Sequence, residues 1–295
     1  MTPATAIDGR RYMEAGRVLT ERLLNEYIPS DSEDPRSLHT AMRYSVLAGG
    51  KRLRPILAQA AFEYCGGDMS RAEETVHRAM AAIEMVHTYS LIHDDLPCMD
   101  DDDLRRGMPT CHKKFGEATA TLAGDALHVV AFELMARTGS IDVVLELARA
   151  VGTSGMLGGQ MADIEAEGRA VTPGEIQEIH TRKTGALIRG SVRIGAILAG
   201  ADPETLERLT AYGEKIGLAF QIIDDILDIE GDQTLLGKAV GSDSRHQKAT
   251  YPAAKGLEAS RREAAQLIDG ALATFVEEED NMLKWLARYI GQRER

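Results

Sequence analysis

Aromatic residues make up only 5% of the 295 residues, and the three cysteines, Cys65, Cys98 and Cys111, form no CxxC pair. An odd, unpaired set speaks against a disulfide framework and a structural zinc site, and suits the free thiols of a reducing, cytoplasmic compartment. No apolar run reaches the roughly 18 residues that would cross a bilayer, and the start, Met1 to Arg11, lacks the apolar h-region of a secretory signal. The chain is therefore expected to be cytoplasmic and not inserted in a membrane. Basic excess is missing too: the net charge is −12, which argues against nonspecific binding to nucleic acid or anionic lipid and makes any basic surface local. No Ser/His/Asp or catalytic-cysteine pattern is present. Strand-like alternation of convincing length is absent, so little sheet is expected.

What is present is helical periodicity from end to end. Tyr12, Leu19, Leu23 and Tyr27 step at helical spacing, a long helix is expected from about Arg71 to Asp95, and others over Phe115–Met135 and Pro203–Asp228. With no repeat, low-complexity tract or linker, residues 1–295 read as one all-helical domain.

Two acidic clusters interrupt this apolar pattern. The first runs His93-Asp94-Asp95-Leu96-Pro97-Cys98-Met99-Asp100 and continues to Asp103, followed at once by Arg105-Arg106-Gly107. Pro97 ends the helix near Asp95, so Asp100 should return from a loop. The second is Phe220-Gln221-Ile222-Ile223-Asp224-Asp225-Ile226-Leu227-Asp228, where Asp224 and Asp228 share a helix face about 6 Å apart along the axis. Carboxylates set in apolar sequence are costly unless a cation joins them. Hard Mg²⁺, held by one or two carboxylates and completed by water and phosphate oxygens, is the natural candidate, and two such clusters make a diphosphate clamp.

Cations gather around the same places. Gly49-Gly50-Lys51-Arg52-Leu53-Arg54-Pro55 is either a basic helix start, which the helix dipole disfavours, or an anion-binding turn. His87, two turns before Asp94, projects from nearly the same side. Arg182, Lys183 and Thr184 lie in an apolar helix, where a buried lysine needs a partner and a diphosphate oxygen would serve. Lys238 and Lys248 lie in a polar loop after the second cluster.

DDxxxxD followed by RRG, with a later FQxxDDxxD, resembles the trans-isoprenyl diphosphate synthases, most of all their bacterial farnesyl diphosphate members, from about Gly49 to Pro252. The resemblance implies a bundle of ten or more helices around a central cavity, a homodimer, and three Mg²⁺ ions. It implies an allylic diphosphate held through magnesium by Asp94, Asp95, Asp100 and Asp224, with Arg105, Lys183 and Lys238 on its oxygens. Isopentenyl diphosphate would bind without metal at Lys51, Arg54, His87 and Arg106. Thr184 and Gln221 would present oxygen dipoles to an allylic cation, Phe220 and small helical residues would line the tail pocket, and Gln160 and Asp163 would form a polar pair behind the site.

The resemblance also implies that the fifth residue before the first motif, Tyr89, is the floor that limits the product to C15. A helical wheel places Ser90 about 40° and Tyr89 about 140° from Asp94, so geometry alone does not choose the tyrosine, and a core tyrosine is the other reading. Farnesyl diphosphate is the expected product, with geranylgeranyl diphosphate the alternative. A terpene cyclase has no use for a second diphosphate site, an HD-type phosphohydrolase none for a second DDxxD, and a non-catalytic subunit usually lacks intact aspartate motifs.

Overall fold

The computed structural model describes residues 8–72, 75–230, 250–275 and 280–292. The helices follow in order: α1 (Gly9–Tyr27), α2 (Arg36–Val46), α3 (Leu53–Tyr64), α4 (Val76–Asp94), α5 (Cys111–Phe115), α6 (Glu117–Ala136), α7 (Ile141–Val151), α8 (Met156–Ala166), α9 (Pro173–His180), α10 (Ala186–Leu198), α11 (Pro203–Glu230), α12 (Tyr251–Lys255), α13 (Leu257–Leu272) and α14 (Met282–Gly291). Local chemistry sets several of their starts. Asp8 accepts the Arg11 N–H at the head of α1, and Thr172 with Glu175 forms a capping box ahead of Pro173. The expected all-α class holds; the sheet among the described residues is one two-stranded hairpin.

α4 is the centre. Val76, Ala79 to Val86, Thr88, Tyr89 and Ile92 are buried, so the helix is enclosed on nearly every side, the pattern of a core helix rather than an amphipathic surface one. It packs along α6 and against α1, α2, α3 and α10. A second core joins α3, α10, α11, α13 and α14, where Phe275 meets both Tyr64 and Tyr212 edge-on. Tyr212 donates its hydroxyl to the Leu283 carbonyl at 2.7 Å, tying α14 to α11. No described helix is long and apolar enough to cross a membrane.

Three local features shape the surroundings of the site. The apolar helix expected over Phe115–Met135 is α6, Glu117–Ala136, set off from the short α5 by Gly116, whose φ of 85° belongs to the region side chains avoid. The segment after Asp103 is a hairpin, Leu104 pairing with Pro109 and Arg105 with Met108. Its two-residue turn, Arg106-Gly107, has φ of 55° and 76°, as a type I′ turn requires. Finally, Thr181–Gly185 is a π-turn between α9 and α10, the kind of bulge that often re-aims side chains at a functional site.

Candidate active site

The first acidic cluster is shaped by how α4 ends. Asp95 caps the helix, and the chain folds back so that the Asp100 N–H donates to the Asp94 carbonyl at 2.8 Å while the Asp101 N–H reaches the Leu96 carbonyl. Asp100 thus returns to the helix end from a loop, as its spacing required. Asp95 is buried, 3% exposed, and takes Arg105 as its counterion: Arg105 donates through Nε at 2.9 Å and also through Nη2, which reaches Asp102 at 2.9 Å. Burial nevertheless outweighs that guanidinium and lifts the Asp95 carboxyl to about 6.

Beside it lies a field of cations. Arg52 and Arg106 converge on one carboxylate, Glu84 of α4, at 2.6 and 3.9 Å. Arg54 donates to His87 Nε2 at 3.2 Å, which makes Nε2 the acceptor and leaves the proton on Nδ1. Burial first, then the Arg54, Arg106 and Arg52 charges, hold the His87 pKa well below its ordinary value, so the ring is neutral. Lys51 is exposed at the mouth of the same turn.

On the opposite side, Lys183 stands in the π-turn and donates to Asp163 of α8 at 2.6 Å. Its sequence environment called for a partner, and within the chain Asp163 is that partner. The close approach of α8 to the π-turn backbone depends on Gly159, where an added Cβ would lie 2.2 Å from the Lys183 backbone nitrogen. Thr184 donates to Gln221 Oε1 at 2.7 Å, so the Gln221 oxygen is engaged and the lone pairs of the Thr184 hydroxyl remain. Asp225, next to Asp224, fixes the far side of that amide: it accepts from Gln221 Nε2 at 3.0 Å and from the Tyr251 N–H at 2.8 Å, with His180 at 3.4 Å.

Between these groups is a cavity of about 360 Å³. Asp94, Lys183, Thr184, Arg54 and His87 line it, and Tyr89 and Ser90 both reach it from α4. Tyr89 is 3% exposed, stacks on His128 of α6 with centroids 4.5 Å apart and planes at 2°, and meets His93 edge-on. Phe132 meets His128 at a tilt, with centroids 5.1 Å apart and planes at 54°. The apolar lining joins Tyr89 to Leu91, Leu96, Met99, Met156 and Leu157, and His128 and Phe132 stand outside that lining. Asp94, Asp95, Asp100 and Asp224 bring carboxylate oxygens only, while the nearby His93 is turned to the Thr121 carbonyl at 3.1 Å. Among the described residues no three His, Cys, Asp or Glu donors converge. An all-oxygen donor set of separate aspartates fits a hydrated magnesium that takes its remaining ligands from a diphosphate.

The polyprenyl synthetase family model matches residues 35–290. The chain belongs to that family, the trans-isoprenyl diphosphate synthases. It is 49% identical over 266 residues to the farnesyl diphosphate synthase of Escherichia coli K12, covering 85% of this chain and 88% of the relative. It is 45% identical over 305 residues to the large subunit 1 of the chloroplastic heterodimeric geranylgeranyl pyrophosphate synthase of Arabidopsis thaliana, covering 98% and 81%. The solved geranylgeranyl pyrophosphate synthetase of Pyrococcus horikoshii superposes with a TM-score of 0.85 at 33% identity, over 97% of this chain and 98% of that one. The fold is the all-α isoprenoid synthase fold, and the polyprenyl synthetases include both product classes.

Within this synthase fold the cavity gathers Arg54, His87, Tyr89, Ser90, Asp94, Lys183 and Thr184, with Gln160 beside them. Gln221 joins through Thr184, and Asp163 through Lys183. Asp224 follows Gln221 by three residues on α11 and is close enough to His180 to act on its charge. Phe220 is not in the cavity lining; it is partly buried and packs against the second core. Lys238 and Lys248 lie outside the described residues. Glu84, His128 and His180 had no place in the sequence reading, and Arg52 figured only as one cation of the Gly49–Pro55 turn. Glu84 had a signal, as a lone acid in the apolar run Ala79–Val86 that needs a buried partner; the stack of His128 on Tyr89 had none.

Proposed function

We propose that the chain condenses isopentenyl diphosphate with C5 and C10 allylic diphosphates and releases farnesyl diphosphate. The observation that supports this reading is one cavity whose lining brings together Asp94, Lys183 and Thr184, the Arg54 and His87 pair, and the ring of Tyr89, which we take as its floor. Asp94, Asp95, Asp100 and Asp224 would hold magnesium, three ions by family resemblance, which neutralises the allylic diphosphate and stabilises charge on it as it departs. Lys183, Arg105 and Lys238 would bond its oxygens, so that the C–O bond breaks and the diphosphate leaves with the electron pair. The hydroxyl oxygen of Thr184, oriented by Gln221, faces the allylic cation left behind. Lys51, Arg54 and Arg106 would hold isopentenyl diphosphate, with the neutral His87 donating from Nδ1. Its double bond attacks the cation, a carbon–carbon bond forms, and the proton shed from the adduct passes to the departed diphosphate.

Two further parts of the reading concern the whole molecule. Leu122 and Val129 of α6 and Ile141 and Leu145 of α7 are exposed apolar side chains, a surface that a homodimer would cover. Three free cysteines fit work in the cytoplasm.

Incubation with isopentenyl diphosphate and a C5, C10 or C15 allylic partner, followed by chromatography of the dephosphorylated products, tests activity and length together. The expected product is C15; the relatives that make geranylgeranyl diphosphate supply the rival, and a main product of C20 would favour it. Tyr89→Ala should lengthen the products to C20 and beyond, because removing a ring five residues and about 7.5 Å below Asp94 deepens the cavity. His128 and Phe132 then become the next barrier. Products that stay at C15 in Tyr89→Ala would place the floor elsewhere.

A further inference from the structure

The four arginines that surround His87, namely Arg52, Arg54, Arg105 and Arg106, create an electrostatic problem before any substrate arrives. Like charges at these separations repel, and burial strengthens the repulsion. Arg105 answers to Asp95 and Asp102. Arg52 and Arg106 answer to Glu84, whose side chain is 2% exposed on the inner face of α4, one turn before His87.

We propose that Glu84 is a positioning residue that sets the cationic flank read as the isopentenyl diphosphate site by fixing Arg106, which stands beside the cavity lined by Arg54 and His87, and the Gly49-Gly50 turn. The proposal deepens the reading above, that the cationic flank takes isopentenyl diphosphate, and rests on it. Arg52 has a fully buried side chain; it bonds Glu84 Oε1 at 2.6 Å and the Val46 carbonyl at 2.8 Å, and so ties the end of α2 to α4. Arg106 stands 3.9 Å from the same Oε1 and donates to the Gly49 carbonyl. Its guanidinium lies across Gly50, where a Cβ would sit 2.8 Å from Cζ, so the glycine is needed for the arginine to lie there.

The backbone gives independent support. Arg52 and Arg106 have φ of 52° and 55°, the left-handed region that residues with side chains avoid. A type I′ turn favours Asn-Gly, yet this hairpin carries Arg106-Gly107. Two arginines held in unfavourable backbone and converging on one buried carboxylate form a device that fixes direction. Arg106 remains 24% exposed, so its free edge is available to a ligand, whereas Arg52 is sealed. A fixed anion that assembles the cations in advance spares an incoming diphosphate the reorganisation.

The test compares three variants with magnesium and both substrates present. Glu84→Gln should raise the KM for isopentenyl diphosphate tenfold or more and leave the KM for the allylic partner within twofold, with a lower melting temperature because Arg52 is left buried and unpaired. The double variant Arg52→Gln/Glu84→Gln removes the sealed charge together with its partner. It should regain most of the melting temperature and keep the raised KM, since Arg106 still lacks its anion. A KM that returns to wild type along with the stability would reduce Glu84 to a structural role and overturn the proposal. Lys51→Ala separates the two layers of the argument. Should it leave the KM for isopentenyl diphosphate unchanged, the substrate assignment itself fails; should it raise that KM while Glu84→Gln does not, only the positioning role fails. If neither glutamine variant folds, Glu84→Asp, which keeps the charge but withdraws it from Arg106 by one methylene, decides by the same split in KM.

Discussion

The first acidic cluster hides Asp95 and the second hides Asp225 and Asp228, all 3% exposed, and Asp95 and Asp225 meet the cost of burial with different partners. Asp95 faces a guanidinium, Arg105, with a further arginine field behind it. Among its described contacts Asp225 accepts from Gln221 Nε2 and the Tyr251 N–H, with the ring of His180 at 3.4 Å. Buried carboxylates need partners in either case. The guanidinium beside Asp95 also draws a second anion toward the site, whereas the amide that Asp225 holds is aimed at Thr184.

The largest expected effect tests what the clusters share. If both hold the same diphosphate through magnesium, Asp94→Ala and Asp224→Ala should each lower turnover by several orders of magnitude, roughly 4 kcal/mol or more of lost transition-state stabilisation, with helix content by circular dichroism nearly unchanged. Full turnover in EDTA would remove the common metal. Next come the lysines that flank each side. Lys51→Ala should raise the KM for isopentenyl diphosphate by about ten- to a hundredfold and affect the allylic KM little, while Lys183→Ala should act chiefly on kcat. Equal effects on both substrates in both variants would dissolve the distinction between the two sides. A stability comparison sharpens it further. Arg105→Ala strands a buried carboxylate and should cost about 3 kcal/mol in urea unfolding; Gln221→Ala removes one neutral donor and should cost about 1–2 kcal/mol.

Much of this site was legible in the sequence because the chemistry sits at fixed spacings along helices. Asp94 with His87, and Gln221 with Asp224, follow from helical periodicity and a proline that ends α4. The all-α class followed from the lack of alternation. What could not be read were the contacts between segments far apart in the chain. Lys183 finds Asp163 twenty residues away because the π-turn turns it toward α8, and no local pattern announces a π-turn. Tyr89 enters the cavity although the wheel turned it away from Asp94, because α6 supplies His128 as a flat surface for the ring. Arg106 takes a left-handed backbone at a hairpin turn, where the usual turn residues are absent, because Glu84 and Gly49 hold its side chain.

The smallest expected effect is a pH dependence whose sign differs between the clusters. Burial lowers the His180 pKa to about 4 from an ordinary value near 6.5. Between those values the unfolded chain takes up a proton that the folded chain refuses, so the stability His180 contributes is intact above pH 6.5 and is lost as pH falls toward 4. The span sets a ceiling of about 3 kcal/mol. Asp95 runs the other way. Its carboxyl, raised to about 6 by burial against the opposing Arg105, binds a proton in the folded chain at a pH where the unfolded chain has released it. Acidification from pH 6 toward 4 therefore relieves a cost at the first cluster while it imposes one at the second. Urea unfolding of the metal-free protein at pH 4.5 and 7 measures the balance. His180→Gln should lose about 1–2 kcal/mol less than wild type on going to pH 4.5, with His87 still contributing in the same direction. Asp95→Asn should lose more than wild type, because the relief at the first cluster is gone. Parallel pH slopes in wild type and both variants would mean that neither His180 nor Asp95 titrates away from its ordinary value, and the opposition in sign would fall.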